Sequence, residues 1–217
     1  MFESAAIIFD YLPIRFQSES EDEYQWYLWD SFMALINNPT SPASRFSLVP
    51  FHLLFMLAAQ YKALRVRKSM PEQHKHVFTF RGICKNHMAL LDPTSPYDFS
   101  NLNERSLFDI FRLVDATDRL IGRAKALVDR RNDLAHVNGI IETNIDETIE
   151  EYLAVLLELQ KLFQPINDTI AQEWLNEMEP EEDRTAFAEL RLAAAYLCLA
   201  DLNGGLLAEH FPRDGIS

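Results

Sequence analysis

The chain has 217 residues, of which 48% are apolar and 24% charged, so it is long and apolar enough to bury a core and is not a disordered chain. Its formal net charge of -13, taken alone, speaks against a nucleic-acid partner. Two cysteines are too few for a disulfide framework and the longest unbroken apolar run, residues 192–200, is too short to span a bilayer, so we expect a cytoplasmic protein without a transmembrane helix.

The first half of the chain contains two strong helical patterns. Residues 22–37 carry aromatic and apolar side chains at helical spacing after an acidic first turn, which predicts a helix. Residues 47–66 form the second predicted helix, and because residues 53–59 are apolar on all sides we expect it at the centre of a bundle. His52 lies in this helix and is expected to be a buried histidine with satisfied hydrogen bonds. Residues 77–80 are predicted as a short strand or an extended segment.

Three further helices are expected in the second half. Residues 105–137 keep an apolar stripe and are predicted as one long helix. Residues 145–176 form another long helix, which Pro165 is expected to kink or interrupt. Residues 182–202 form the last helix.

Together these patterns predict an all-α fold, a bundle of about five helices. The low count of six glycines also argues against a turn-rich β sandwich or barrel. We expect one domain over residues 1–217, with a core at about residues 22–165 and a C-terminal helical extension over residues 166–217.

The charge is unevenly distributed along the chain. Residues 1–30 carry one basic residue against seven acidic ones, and residues 141–190 carry two against fourteen. By contrast, residues 61–91 carry seven basic residues against one acidic, and residues 105–131 seven against four. A local basic surface can still attract phosphates, although solvated helix faces would give the same pattern. The candidate RNA contacts in these basic segments are Lys62, Arg65, Arg67, Lys68 and Arg130.

The end of the third predicted helix carries one motif with clear chemistry, Arg131-Asn132-Asp133-Leu134-Ala135-His136. Asn132 and His136 are four residues apart and therefore neighbours on one helix face. Arg131 continues the apolar stripe, so we expect its guanidinium to be half-buried. Arginine offers a charged fork that matches phosphate oxygens, histidine moves protons near neutral pH, and Asn132 can orient the imidazole. Such groups can cleave RNA without a metal.

This segment resembles the R-x4-H signature of the HEPN superfamily, in which the residue after the arginine is often asparagine. HEPN domains are helical bundles, and many are metal-independent endoribonucleases of toxin–antitoxin, abortive-infection and CRISPR systems. The resemblance implies an HEPN-like fold, an RNA substrate, no cofactor, and catalytic roles for Arg131, Asn132 and His136. It also implies a homodimer, because HEPN active sites form where two motifs meet. Some HEPN toxins carry a modifiable tyrosine two residues after the histidine, where this chain has Asn138.

A ribonuclease of this kind would damage its host, so we expect an antitoxin or sensor partner, which would meet the acidic C-terminal region. The alternative is a non-catalytic HEPN-like interaction or regulatory module, such as an antitoxin-like or defence-system subunit. In a purely structural alternative, Arg131 and Asn132 cap the helix end and pair with Asp129 or Asp133, and His136 interacts with the helix dipole.

Four further side chains lie close together in sequence, His74, His76, Cys84 and His87. An H-x-H pair followed by C-x-x-H has the residue types of a zinc site. Sites with one cysteine and three histidines are uncommon, however, and two lysines in the segment would repel the ion. We therefore predict no metal site, and expect exposed polar residues on a basic loop that can lie along RNA phosphates.

Overall fold

The structure is a computed structural model that describes residues 2–13, 19–38, 40–80, 90–135 and 144–177. Every regular element in these ranges is helical, which confirms the all-α prediction for this part of the chain. The α-helices there are α1 (Phe2–Ala6), α2 (Glu19–Ile36), α3 (Leu48–Ser69), α4 (Pro71–Phe80), α5 (Glu104–Leu107), α6 (Asp118–Ala135) and α7 (Ile145–Glu177). Short 3-10 helices occupy Ile7–Tyr11, Pro42–Ser47, Pro96–Asn101 and Phe108–Val114.

Helix α3 lies at the centre of the bundle, as its sequence predicts. Fourteen of its 22 residues are buried, and it packs against α2, α4, α5, α6 and α7. Because the helix is apolar on nearly all sides, its surface is removed from water only when other helices surround it. Pro50 lies in its first turn, where the missing N–H removes no helical hydrogen bond.

Among the described residues, the segment Pro42–Ser69 is long and apolar enough to cross a membrane. The sequence analysis, which considered only unbroken apolar runs, predicted no transmembrane helix. Within the bundle, 67% of its most apolar window is buried. The core helix of a soluble protein meets the same criterion of length and composition. The burial of this segment is therefore compatible with a soluble protein.

A layer of aromatic rings joins α3 to α7. The ring of Tyr152 meets Phe55 edge-on at a centroid distance of 4.9 Å and Phe51 at 5.8 Å. Phe55 also stacks on Phe108 at 5.6 Å. All four rings are buried, and each such pair adds about 0.5–1.5 kcal/mol beyond the area it removes from water. This packing fixes the rotation of α3 about its axis, and with it the position of His52.

The single long helix predicted over residues 105–137 is wrong. The chain instead forms α5, the 3-10 helix Phe108–Val114 and α6, with a break at Asp115. Asp115 has a φ of 61°, in the left-handed region, which ends the first helical segment. Thr117 then caps the start of α6, since its hydroxyl oxygen accepts a hydrogen bond from the N–H of Leu120 at 3.2 Å.

The strand or extended segment predicted at residues 77–80 is also wrong, because these residues end helix α4. Pro71 stands at the first position of α4, where its fixed φ favours a helix. His74 and Phe78 follow at a spacing of four and are buried on one face. The β-branched and aromatic residue types suggested a strand locally, and tertiary packing of this face overrides that preference.

The other predicted helices agree with the structure where it describes them. The helix expected at residues 22–37 is α2, the one at 47–66 is α3, and the one at 145–176 is α7. Helix α7 is not interrupted at Pro165, since it runs on to Glu177. The helix expected at residues 182–202 lies outside the described residues, and the predicted single-domain organisation stays a prediction.

Candidate functional site

Helix α6 carries Arg131 and Asn132 in its last turn. The side chain of Arg131 is 20% exposed and Asn132 is partly buried. The residues one turn earlier, Leu127 and Val128, are buried in the core, so Arg131 continues their stripe and is half-buried as predicted. His136 lies outside the described residues, and its predicted contact with Asn132 stays a prediction.

The guanidinium of Arg131 is held by Glu104, the first residue of α5. Its Nη2 donates a hydrogen bond to Glu104 Oε2. Asn103 caps α5, because its side-chain oxygen accepts the N–H of Arg105 at 3.0 Å. This cap fixes the start of α5 and thereby the place from which the Glu104 carboxylate reaches α6.

The structural alternative paired this arginine with Asp129 or Asp133, whereas the described partner comes from another helix. Glu104 is the described ion-pair partner of Arg131, and Asp129 pairs instead with Arg105. Glu104 belongs to a separate helix, 27 residues earlier in the chain, so this pair links α5 to α6.

His52 joins the same carboxylate from the centre of the bundle. It is fully buried in α3, and its Nε2 lies 3.2 Å from Glu104 Oε2. Its Nδ1 lies 2.9 Å from the hydroxyl of Tyr152, which also lies 3.3 Å from the carbonyl of Leu127. A neutral His52 therefore donates from Nε2 to the carboxylate and accepts the Tyr152 hydroxyl at Nδ1. The prediction that His52 is a buried, satisfied histidine is confirmed.

The charges of this cluster follow from its burial. Burial lowers the pKa of His52, and this effect outweighs the nearby carboxylate, so the imidazole is neutral at pH 7. For Glu104, burial acts to raise the pKa, but the hydrogen bond from His52 and the charge of Arg131 hold it below its ordinary value. The cluster is therefore one carboxylate and one guanidinium, with His52 and Tyr152 as neutral hydrogen-bonding partners.

The sequence analysis missed Glu104 and Tyr152 as members of this site. Glu104 and Tyr152 lie 27 and 21 residues from Arg131, and His52 is further still. No spacing along one helix connects these positions, since α3, α5, α6 and α7 each contribute one. Only the packing of these four helices brings them together.

The basic residues predicted to contact RNA differ in their surroundings. Lys68 is exposed in the last turn of α3, and Arg65 is partly buried. Arg67 forms an ion pair with Asp92. Arg130 is 41% exposed and donates to Glu151 at 3.1 Å.

Lys62, the remaining predicted RNA contact, is buried inside the bundle. Its ammonium donates to Gln160 and lies 5.9 Å from the ring centre of Tyr11 and 5.6 Å from that of Phe163. Burial lowers the pKa of Lys62 from 10.5 to about 7. Because this position presents no exposed charge to a phosphate, we leave Lys62 out of the proposed RNA-binding surface.

The histidines of the possible zinc segment do not form a cluster in the described part of the chain. His74 is fully buried against Phe78, at a ring distance of 4.6 Å, and its ring nitrogens have no partner among the described residues. Burial lowers its pKa to about 4. His76 is exposed, whereas Cys84 and His87 lie outside the described residues. Within those residues no group of three or more potential ligands could hold a metal ion.

A cleft of about 540 Å³ opens beside Glu104. Leu53 and Met56 of α3 line the cleft, together with Tyr24 of α2 and Tyr97 of the 3-10 helix Pro96–Asn101. The ring centres of the two tyrosines are 5.8 Å apart. Among the described residues that line it, Glu104 is the one acidic side chain. The cleft is mostly apolar, and the carboxylate that holds Arg131 is part of its lining.

A scan against protein-family models, a search of curated proteins and a search of solved structures each find no match to this chain. A fixed guanidinium at a helix end binds an anion, and a carboxylate that lines an apolar cleft accepts hydrogen bonds from a ligand.

The buried Lys62 predicts a pH dependence of stability. Between about pH 7 and pH 10 the unfolded chain keeps a proton on this lysine that the folded chain has released. The contribution of Lys62 to the free energy of unfolding therefore increases as the pH rises through this range. We expect Lys62→Met to be more stable than the wild type at pH 7, and this difference to shrink by pH 10, in urea unfolding followed by circular dichroism.

Lys68→Met is the matched control, since Lys68 lies on the same helix and is exposed. Its stability difference from the wild type should stay constant over the same pH range. Parallel pH profiles for the wild type and Lys62→Met would contradict the buried, titrating state of Lys62.

Proposed function

We propose that this chain is a metal-independent endoribonuclease of the HEPN type and acts as a toxin or phage-defence effector. The observation that carries this proposal is the position of Arg131, which is held at the end of α6 by Glu104 with a fifth of its side chain exposed. A guanidinium that is already oriented and partly desolvated stabilises phosphate charge better than a mobile one at the surface. The R-x4-H spacing supports the proposal, because His136 follows five residues after Arg131 in the sequence.

The reaction needs one base, one acid and one cation. His136 takes the proton from a ribose 2′-hydroxyl, the 2′-oxygen attacks phosphorus, and the bond from phosphorus to the 5′-oxygen breaks. The departing 5′-oxygen takes a proton from a second histidine, which leaves a 2′,3′-cyclic phosphate and a 5′-hydroxyl. Arg131 stabilises the extra negative charge on the pentacoordinate phosphorus, and Asn132 orients the imidazole.

The proposal requires a homodimer. One chain supplies one R-x4-H motif, and hence one His136, whereas the reaction uses a base and an acid on opposite sides of the phosphate. In a two-fold dimer the same surface meets itself, so two copies of the α6 end can converge on one phosphodiester.

The purified protein should cleave single-stranded RNA in EDTA. Arg131→Ala and His136→Ala should each lower the cleavage rate by about a hundredfold or more, because each removes a group that acts on the transition state. Cleavage is measured on a labelled RNA, and the helical content of each variant by circular dichroism.

The matched control is Arg123→Ala, which removes an arginine from the same helix, where it pairs with Glu158. It should cleave at close to the wild-type rate. RNA that stays intact with micromolar wild-type protein, or that is cut only when a metal is added, would overturn the ribonuclease proposal.

Glu104 is proposed as a positioning residue for Arg131. Glu104→Gln removes the charge that holds the guanidinium, so the maximal cleavage rate should fall about tenfold, whereas Glu104→Asp should restore part of it. Single-turnover kinetics at saturating protein separate this effect from RNA binding. A merely structural role would lower the melting temperature in both variants without the rescue by aspartate, and that outcome would contradict the positioning role.

In a cell, such an activity is proposed to be held in check by an antitoxin or sensor protein. The acidic residues 141–190 are its proposed docking region, since their charge repels RNA. Expression of the chain alone should arrest growth, and His136→Ala should relieve the arrest while the protein accumulates to the same level. Arrest that is unchanged by this substitution would contradict toxicity by RNA cleavage.

One observation favours the second candidate function, a non-catalytic interaction or regulatory module. The carboxylate of Glu104 offsets much of the positive charge of Arg131, which weakens its attraction for a phosphate. In such a module the Glu104–Arg131 pair joins α5 to α6 and serves only the fold. The RNA cleavage experiment separates the two functions directly.

A further inference from the structure

The cleft beside Glu104 has the size and lining of a site for a small flat ligand. Its volume of about 540 Å³ lies within the usual range for ligand pockets, roughly 300–1,000 Å³. Leu53 and Met56 give it an apolar wall, and Tyr24 and Tyr97 bring two aromatic rings to it. A planar aromatic molecule gains contact with such walls on both of its faces.

Glu104 sets the polarity of this cleft. Both of its described hydrogen bonds, from His52 and from Arg131, end on Oε2. Oε1 has no partner among the described residues, and the side chain is 30% exposed where it lines the cleft. An ionised carboxylate only accepts hydrogen bonds, so the ligand must present N–H or O–H donors to it.

Among the RNA bases, guanine fits this requirement best. Its Watson–Crick edge presents two neighbouring donors, N1–H and the N2 amino group. Adenine and cytosine present one amino group beside a ring nitrogen that is an acceptor, and uracil presents one N–H between two carbonyl oxygens. An acceptor facing Glu104 would be repelled, so a carboxylate in the cleft lining discriminates against these three bases.

We propose that this cleft binds a guanine base of the RNA substrate, with its donor edge on Glu104 and one face against the paired rings of Tyr24 and Tyr97. The inference rests on the proposed function, because Glu104 links the cleft to Arg131. A base bound at this carboxylate brings its own phosphate toward the guanidinium that the same carboxylate holds. RNA is therefore cleaved next to guanosine.

The test measures binding of the 3′-monophosphates of guanosine, adenosine, cytidine and uridine to the wild-type protein by isothermal titration calorimetry. Guanosine 3′-monophosphate should bind at least about tenfold more tightly than the other three. Tyr24→Ala removes one stacking wall and should weaken guanosine binding by about tenfold. Leu53→Trp fills the cleft and should also weaken guanosine binding.

Tyr27→Ala is the matched control, because Tyr27 lies on the same helix, is 67% exposed and does not line the cleft. It should bind like the wild type. Glu104→Gln should lower the preference for guanine, whereas Arg131→Ala should weaken all four nucleotides to a similar extent. Equal binding of the four nucleotides, or guanosine binding that Tyr24→Ala leaves unchanged, would overturn the inference.

Two further measurements separate this inference from the ribonuclease proposal and from a free nucleotide ligand. Wild-type protein that cuts RNA without preference at guanosine would overturn the guanine site but support the ribonuclease proposal. Selective guanosine binding without any RNA cleavage would support the guanine site but overturn the ribonuclease proposal. The pentanucleotide UUGUU should bind more tightly than guanosine 3′-monophosphate. The opposite order would assign the cleft to a free nucleotide and overturn its role in RNA binding.

Discussion

The carboxylate of Glu104 is the point on which the candidate site depends, because it receives hydrogen bonds from His52 and Arg131 at the same oxygen. Charges withdrawn from water are costly unless each is paired and hydrogen-bonded, and here the fully buried imidazole stays neutral while the carboxylate and the guanidinium neutralise each other. Removal of either charged partner leaves the other poorly solvated. The same pairing that stabilises the cluster also keeps Arg131 in one orientation.

This arrangement connects the fold to the proposed chemistry. Helix α3 is buried on almost every side, so His52 has a fixed position in the centre of the bundle. Through Tyr152 the imidazole is coupled to α7, and through Glu104 it is coupled to α5 and α6. The end of α6, which carries the proposed catalytic arginine, is thus connected to the buried centre of the bundle. The same carboxylate also lines the apolar cleft.

Local patterns predicted part of this structure and failed where a short-range signal was ambiguous. The apolar periodicity was sufficient to predict helices α2, α3 and α7, because each helix is long and has an apolar face or an entirely apolar surface. The break at Asp115 was missed because one residue in the left-handed region leaves the surrounding apolar stripe intact. Helix α4 was missed because the residues at its end have strand preferences and acquire a helical face only by packing His74 and Phe78 inward.

The sequence by itself determined the helical class, the central place of α3 and the half-buried state of Arg131, since each follows from the spacing of apolar residues along one helix. Only the tertiary structure decided that Glu104 holds this arginine, that Lys62 is buried against Tyr11 and Phe163, and that a cleft lies beside the carboxylate. The physical reason is that side chains from four helices meet at Glu104. Their contacts depend on how the helices cross, and the spacing of residues within any one helix carries no record of that crossing.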